Sequence, residues 1–166
     1  SIQGPVGIIH RFLYSKHPKN RSTHTNSDRY SEGIQGKGQI MTQTVLVLGA
    51  SGLFGGQAAR AFAAAGWTVR KYQRGTDMAL AAQGADVIVN GLNPPNYHAW
   101  DRLIPEITRQ VIAAGLASGA TVLVPGNVYV YGVEPGPWGP NTQHRPASRK
   151  GAIRARMESD YRAASE

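Results

Sequence analysis

Thr44-Val45-Leu46-Val47-Leu48-Gly49-Ala50-Ser51-Gly52-Leu53-Phe54-Gly55 is the stretch whose reading settles how the rest of the chain is understood. A run of β-branched and leucine residues without polar alternation is the pattern of a parallel strand buried on both faces. Glycines at 49, 52 and 55 then permit a sharp turn and a close approach of backbone to ligand, because none carries a Cβ. The alanine-rich segment from Leu53 to Ala65 is a good helix former and opens directly after the turn. Free N–H groups in the first turn of such a helix, together with its dipole, favour an anion. Gly49, Ala50, Ser51, Gly52, Leu53, Phe54 and Gly55 therefore read as a socket for the pyrophosphate of a dinucleotide.

Beyond the socket, strand and helix patterns alternate. Gly66-Trp67 is a turn, Thr68–Tyr72 a second strand and Asp77–Gln83 a short helical stretch closed by Gly84. Ala85–Asn90 is a third apolar strand, followed by the breaker-rich loop Gly91-Leu92-Asn93-Pro94-Pro95. Ile104, Ile107, Val111 and Ile112 recur at helical spacing, with Pro105 expected in the first helical turn and Ser118-Gly119 as the stop. Ala120–Val124 is a fourth buried strand. A polar loop from Val133 to Pro146 leads to a last helix from about Ser148 to Ala164. This order implies right-handed βαβ crossovers, hence an α/β fold with a Rossmann-like, doubly wound parallel sheet. The loops at Gly49–Gly55, Gln73–Thr76, Asn90–Pro95 and Gly126–Gly132 are expected to converge on one cleft at the carboxyl ends of the strands.

The length of 166 residues suits one domain, and the absence of cysteine excludes disulfides and thiolate metal sites. No apolar run approaches the roughly 20 residues of a membrane helix, so a soluble, cytoplasmic protein is the default expectation. The formal charge is +8, and residues 1–40 hold six Lys/Arg against two acids. That stretch has neither helical nor strand periodicity and reads as a disordered basic tail ahead of a domain over residues 41–166. An apolar secretory core is lacking there. A transit peptide, a nucleic-acid-binding arm, or extra sequence upstream of a natural start at Met41 all remain open, with nucleic acid the least favoured partner.

The end of the second strand discriminates between dinucleotides. NAD-selective folds place an acid there to hold the adenosine ribose hydroxyls. Here Gln73 and Arg74 occupy the place, with Arg70 and Lys71 nearby, and a guanidinium suits a 2′-phosphate. NADP is therefore expected ahead of NAD, the alternative being a solvated basic strand end.

With Gly49-Ala50-Ser51-Gly52-Leu53-Phe54-Gly55, Asp86-Val87-Ile88-Val89-Asn90 and Val130-Tyr131-Gly132 in hand, the span from Thr44 to Tyr161 resembles the short-chain dehydrogenase/reductase superfamily. The likeness is to its extended and atypical branches, which carry sugar-nucleotide epimerases and dehydratases. That resemblance implies a serine before the Val-Tyr-Gly element and a Tyr-x-x-x-Lys pair on a later helix, the tyrosine as acid/base and the lysine on the nicotinamide ribose. Counting from Val130 and Glu158, these places fall on Asn127, Lys150 and Arg154, so all three are substituted. Asn127 can still bond a carbonyl and Arg154 ribose hydroxyls, but arginine does not exchange protons. Lys150 could do so only if burial beside Arg154 lowered its pKa toward neutrality. Tyr129 and Tyr131 sit beside the strand end, and Tyr161 has Ser165 rather than a base four positions on.

Asn90 and Asn93 fall where the resemblance places contacts to the cofactor's ribose side, although turn formation explains them as well. Tyr97, His98 and Trp100 could wall a substrate pocket or simply pack. No histidine has metal-ligand spacing. Arg145, Arg149, Lys150, Arg154 and Arg156 form either a grip for an anionic substrate or a solvated helix face. Extended members of the resembled family continue into further strands and a substrate lobe. The sheet here is thus expected to be incomplete at the C-terminus, as a fragment or a reduced domain, with an edge that a second copy could pair with in a homodimer. Two functions follow: an NAD(P)-dependent epimerase/dehydratase-like protein acting on a small hydroxylated or nucleotide-sugar substrate, or a non-catalytic NADP-binding redox sensor.

Overall fold

The structure, a computed structural model, describes residues 42–94, 99–133 and 135–166. The expectations for the tail and for Tyr97 and His98 lie outside the described residues. In chain order the elements are β1 (Thr44–Leu48), α1 (Leu53–Ala64), β2 (Thr68–Lys71), α2 (Met78–Ala82), β3 (Val87–Asn90), α3 (Trp100–Ser118), β4 (Thr121–Leu123), a 3₁₀ turn (Val128–Tyr131) and α4 (Arg149–Ser165). The four strands form one parallel sheet in the order β2-β1-β3-β4. The connection after β1 leads outward to β2, and the next one crosses back to β3 on the opposite side. A crevice therefore opens where β1 and β3 lie side by side, as doubly wound sheets require.

The uninterrupted apolar run of β1 is explained by burial on two faces. Val45 and Val47 point with Val89 toward the α1 layer, where Ala58, Ala59 and Phe62 pack. Leu46 and Leu48 point with Ile88 to the other side, into a core closed by Met78, Ile104, Val111, Met157 and Tyr161 from α2, α3 and α4. Each fully buried leucine or valine contributes roughly 1.5–3 kcal/mol relative to exposure. Polar residues set the boundaries. The Asp86 carboxylate accepts the Thr44 amide at 2.7 Å, Asp77 caps α2 through the Leu80 amide at 2.8 Å, and Ser148 caps α4 through the Gly151 amide at 3.0 Å.

α3 departs from the sequence expectation at its start. It begins at Trp100, so Pro105 lies inside the helix rather than in its first turn. A proline there removes one helical N–H. The helix nevertheless runs on through it because Trp100 is buried, 4% exposed, and anchors an additional turn that periodicity alone did not reveal.

Candidate functional site

The glycine loop leaves β1 through Gly49, which adopts φ +71°, a left-handed conformation that favours glycine. The turn closes with the Gly52 amide donating to the Gly49 carbonyl at 2.9 Å. A Cβ on Gly55 would overlap that same carbonyl oxygen, and a Cβ on Gly49 would lie 2.6 Å from the carbonyl oxygen of Gly91. Gly91, directly after β3, is equally confined: a Cβ there would meet the Leu48 oxygen at 2.8 Å and the Gly55 Cα at 3.1 Å. Three backbones thus meet at the β1/β3 crevice with no room for side chains. The sequence reading placed Gly91 only in a breaker-rich loop, because its contact with Gly49 and Gly55 is made across the sheet. α1 then starts after Gly52, its N-cap residue, without any side-chain cap and without an acid in its first turn. Its leading amides have no intrahelical acceptor and are available to an anion.

From this loop a cleft extends along the strand ends. Its inner part is a cavity of about 200 Å³ lined by Phe54, Asn90, Asn93, Thr108, Arg154 and their apolar neighbours. Its outer part, about 440 Å³, is lined by Tyr72, Arg74, Thr76, Asn93 and Gln110 among others. The two parts share Leu92, Asn93 and Ile107. Three of the four expected loops converge here. The fourth reaches the inner cavity through Val124 and Pro125 rather than through Gly126–Gly132. Arg74 is exposed at the outer part. Arg70, by contrast, turns away to donate to the Gln83 carbonyl at 2.8 Å.

At the inner cavity Arg154 lies over the Trp100 ring, its guanidinium carbon 5.1 Å from the ring centre, and reaches the Asn93 Oδ1 at 3.4 Å. Trp100 is thus a platform for this cation and part of the core rather than an open pocket wall. Asn90 is buried, 5% exposed. Its Oδ1 accepts the Leu92 amide at 3.1 Å, and its Nδ2 donates to the Tyr161 hydroxyl at 3.0 Å. Burial pushes the Tyr161 phenol up to about 12, against opposing hydrogen bonds from Asn90 and Thr108 and the positive charge of Arg154. Tyr161 has no sequence signature for this role. Its partner lies 71 residues away.

The other positions that the resemblance singled out are dispersed. Asn127 caps the 3₁₀ turn, accepting the Tyr129 amide at 3.1 Å. Lys150 is exposed on the first turn of α4, so the burial that would suit it to proton exchange is absent. Tyr129 is exposed, whereas Tyr131 is buried and stacks on Trp138 at 5.4 Å. The cationic run on α4 also divides. Arg149 pairs with Asp101 at 2.7 Å and Arg156 with Asp160 at 2.8 Å, while Arg154 faces the inner cavity. A separate cavity of about 580 Å³, lined by His144, Glu158, Ser159 and Arg162 among others, shares no residue with this cleft. Although larger, it lies away from the glycine loop.

No protein-family model matches the chain, and no curated protein matches its sequence. Solved structures do match in shape. MoeE5 in complex with UDP-glucose and NAD is 17% identical with a TM-score of 0.61, over 74% of this chain and 48% of that one. UDP-N-acetylglucosamine 4-epimerase from Bacillus cereus is 15% identical with a TM-score of 0.65, over 75% and 51%. A short-chain dehydrogenase/reductase superfamily protein from Agrobacterium tumefaciens with bound NAD is 20% identical with a TM-score of 0.58, over 73% and 44%. The parallel sheet and its glycine loop thus define a Rossmann-type α/β domain, and its fold is shared with these structures. The chain spans about half the length of these structures. Among the described residues no helix is long and apolar enough to cross a membrane.

Proposed function

We propose that this chain binds a nicotinamide dinucleotide, NADP in preference to NAD, along the cleft from Phe54 through Asn93 to Arg74. The observation that carries this reading is the side-chain-free meeting of Gly49, Gly55 and Gly91 beside an uncapped helix start. Such a cradle suits a pyrophosphate, whose oxygens take the unpaired amides while the backbone approaches closely. Arg74 would hold a 2′-phosphate at the outer end, and Asn93 and Arg154 would bond ribose hydroxyls at the inner end. Asn90 would orient its loop and offer its remaining hydrogen-bonding capacity.

The chemistry that goes with this site is of the epimerase/dehydratase type, on a small hydroxylated or nucleotide-sugar substrate. The folds of the UDP-sugar-binding and epimerase structures support it. A second reading, a non-catalytic NADP-binding sensor, is favoured by the capping role of Asn127, the exposure of Lys150 and the permanent charge of Arg154. Fluorescence titration of the full chain with NADPH and NADH tests the binding. Saturable binding with NADPH tighter supports the proposal, and no binding of either overturns it. Incubating the NAD(P)-loaded chain with UDP-glucose and UDP-N-acetylglucosamine then separates the readings, since turnover selects the enzyme and its absence the sensor.

A further inference from the structure

The loop that follows β3 is tied to α4 by hydrogen bonds that meet at Asn90. The Leu92 amide donates to Asn90 Oδ1 at 3.1 Å, Asn90 Nδ2 donates to the Tyr161 oxygen at 3.0 Å, and the Tyr161 and Thr108 hydroxyls are bonded. Thr108 in turn donates to the Ile104 carbonyl at 2.8 Å. The members are buried: Tyr161 is 6% exposed, Asn90 5% and Thr108 2%. In such surroundings an unmade bond costs the desolvation of the orphaned group, which fixes the chain in one arrangement.

The consequence reaches the cradle through Gly91. The Asn90–Leu92 bond defines the turn that contains Gly91, and the Gly91 amide donates to the Leu48 carbonyl at 2.9 Å. Gly91 presses on Gly49 and Gly55 without space for a single added methyl group. A small rotation of Asn90 would therefore move Gly91 against the phosphate loop, there being no compressible side chain between them. We infer that Tyr161, near the far end of α4, is a positioning residue for the Gly49–Gly55 loop, acting through Asn90 and Gly91 to set its affinity for a dinucleotide. This rests on the cofactor reading above. Tyr161 touches no part of that loop itself; its effect is the locking of Asn90.

The test uses the full chain and the variant Tyr161→Phe, which keeps the ring and removes the hydroxyl. Two quantities are read: the NADPH dissociation constant, and the backbone amide NMR shifts of Gly49, Gly52, Gly55 and Leu92 without cofactor. The expected result is a binding loss of about 3–10-fold, the size of one modest hydrogen bond, with shifts displaced at Gly49 and Gly55. In an Asn90→Ala background the same change should cost less than about 2-fold, because residues acting in series are not additive. NADPH affinity and loop shifts equal to wild type would overturn the inference, and so would an equal loss in the Asn90→Ala background. Should Tyr161→Phe fail to fold, Thr108→Val removes the next link and is read in the same two ways. If the wild-type chain bound no NADPH, the cofactor reading would fall. The amide shifts would then decide alone, displacement at Gly49 and Gly55 sustaining the role of Tyr161 and displacement confined to its ring neighbours ending it.

Discussion

The Glu158 carboxylate lies 3.5 Å from the Nε2 of His144, and neither of its oxygens receives a hydrogen bond from the described residues although the residue is only 3% exposed. Burial raises its pKa above the usual carboxylate range, and the opposing charges of Arg154 and Arg162 only partly offset this. An acid whose folded pKa is raised holds its proton more tightly in the fold than in the unfolded chain. Its contribution to stability is thus full below the ordinary value of 4.5 and is lost as pH rises through the raised value. Glu158→Gln, which cannot ionise, should be more stable than wild type by about 1 kcal/mol at pH 8. The difference should shrink toward pH 4.5, as measured by urea denaturation at each pH. A Glu158→Gln variant less stable than wild type, most so at the mildly acid pH where His144 is protonated, would instead show that the charged pair with His144 stabilises the fold.

Gly55→Ala should damage the cradle directly, because its Cβ would occupy the place of the Gly49 carbonyl oxygen. Overpacking of this kind costs about 1–3 kcal/mol in folding stability. NADPH affinity should fall by about 10-fold or more as the loop is displaced. Thermal melting and fluorescence titration of the same sample check both, and unchanged values in both would contradict the tight packing of the loop.

Arg74→Asp probes the outer part of the cleft. The side chain is exposed, so folding should be indifferent to the change. Binding should respond with a loss of about 10–100-fold for NADPH, the worth of a hydrogen bond to a charged group, and with NADH affinity held or improved. Parallel titrations with the two coenzymes measure the ratio. An unchanged ratio would remove Arg74 from the site.

Tyr161 should keep its proton well into the alkaline range. Its phenol is pushed up to about 12, so its protonated form is favoured by the fold and its stability contribution is lost as pH rises from about 10 to about 12. Absorbance titration at alkaline pH should show one phenol that ionises only near or with unfolding, and Tyr161→Phe should remove it.

Much of the architecture was legible from the chain itself. The four strands and the order of the helices followed from β-branched runs, alanine-rich stretches and glycine punctuation, because these patterns report burial on one or both sides of a local element. The glycine turn and the uncapped helix behind it were legible for the same reason, since they are neighbours in sequence. Pro105 was misplaced by one turn because Trp100 extends α3 through tertiary burial.

The partners of single polar side chains were decided by the tertiary structure. Asn90 looks in sequence like any loop amide, and only the docking of α4 against α3 and the 3₁₀ turn brings Tyr161 to it. Gly91 lies against Gly49 and Gly55 across the sheet, and Arg154 rests over Trp100 while Lys150, one turn earlier on the same helix, is exposed. Local periodicity encodes which face of an element is buried. Which partner a buried donor or acceptor finds depends on residues distant in sequence, and the docking of the helices on the sheet selects it.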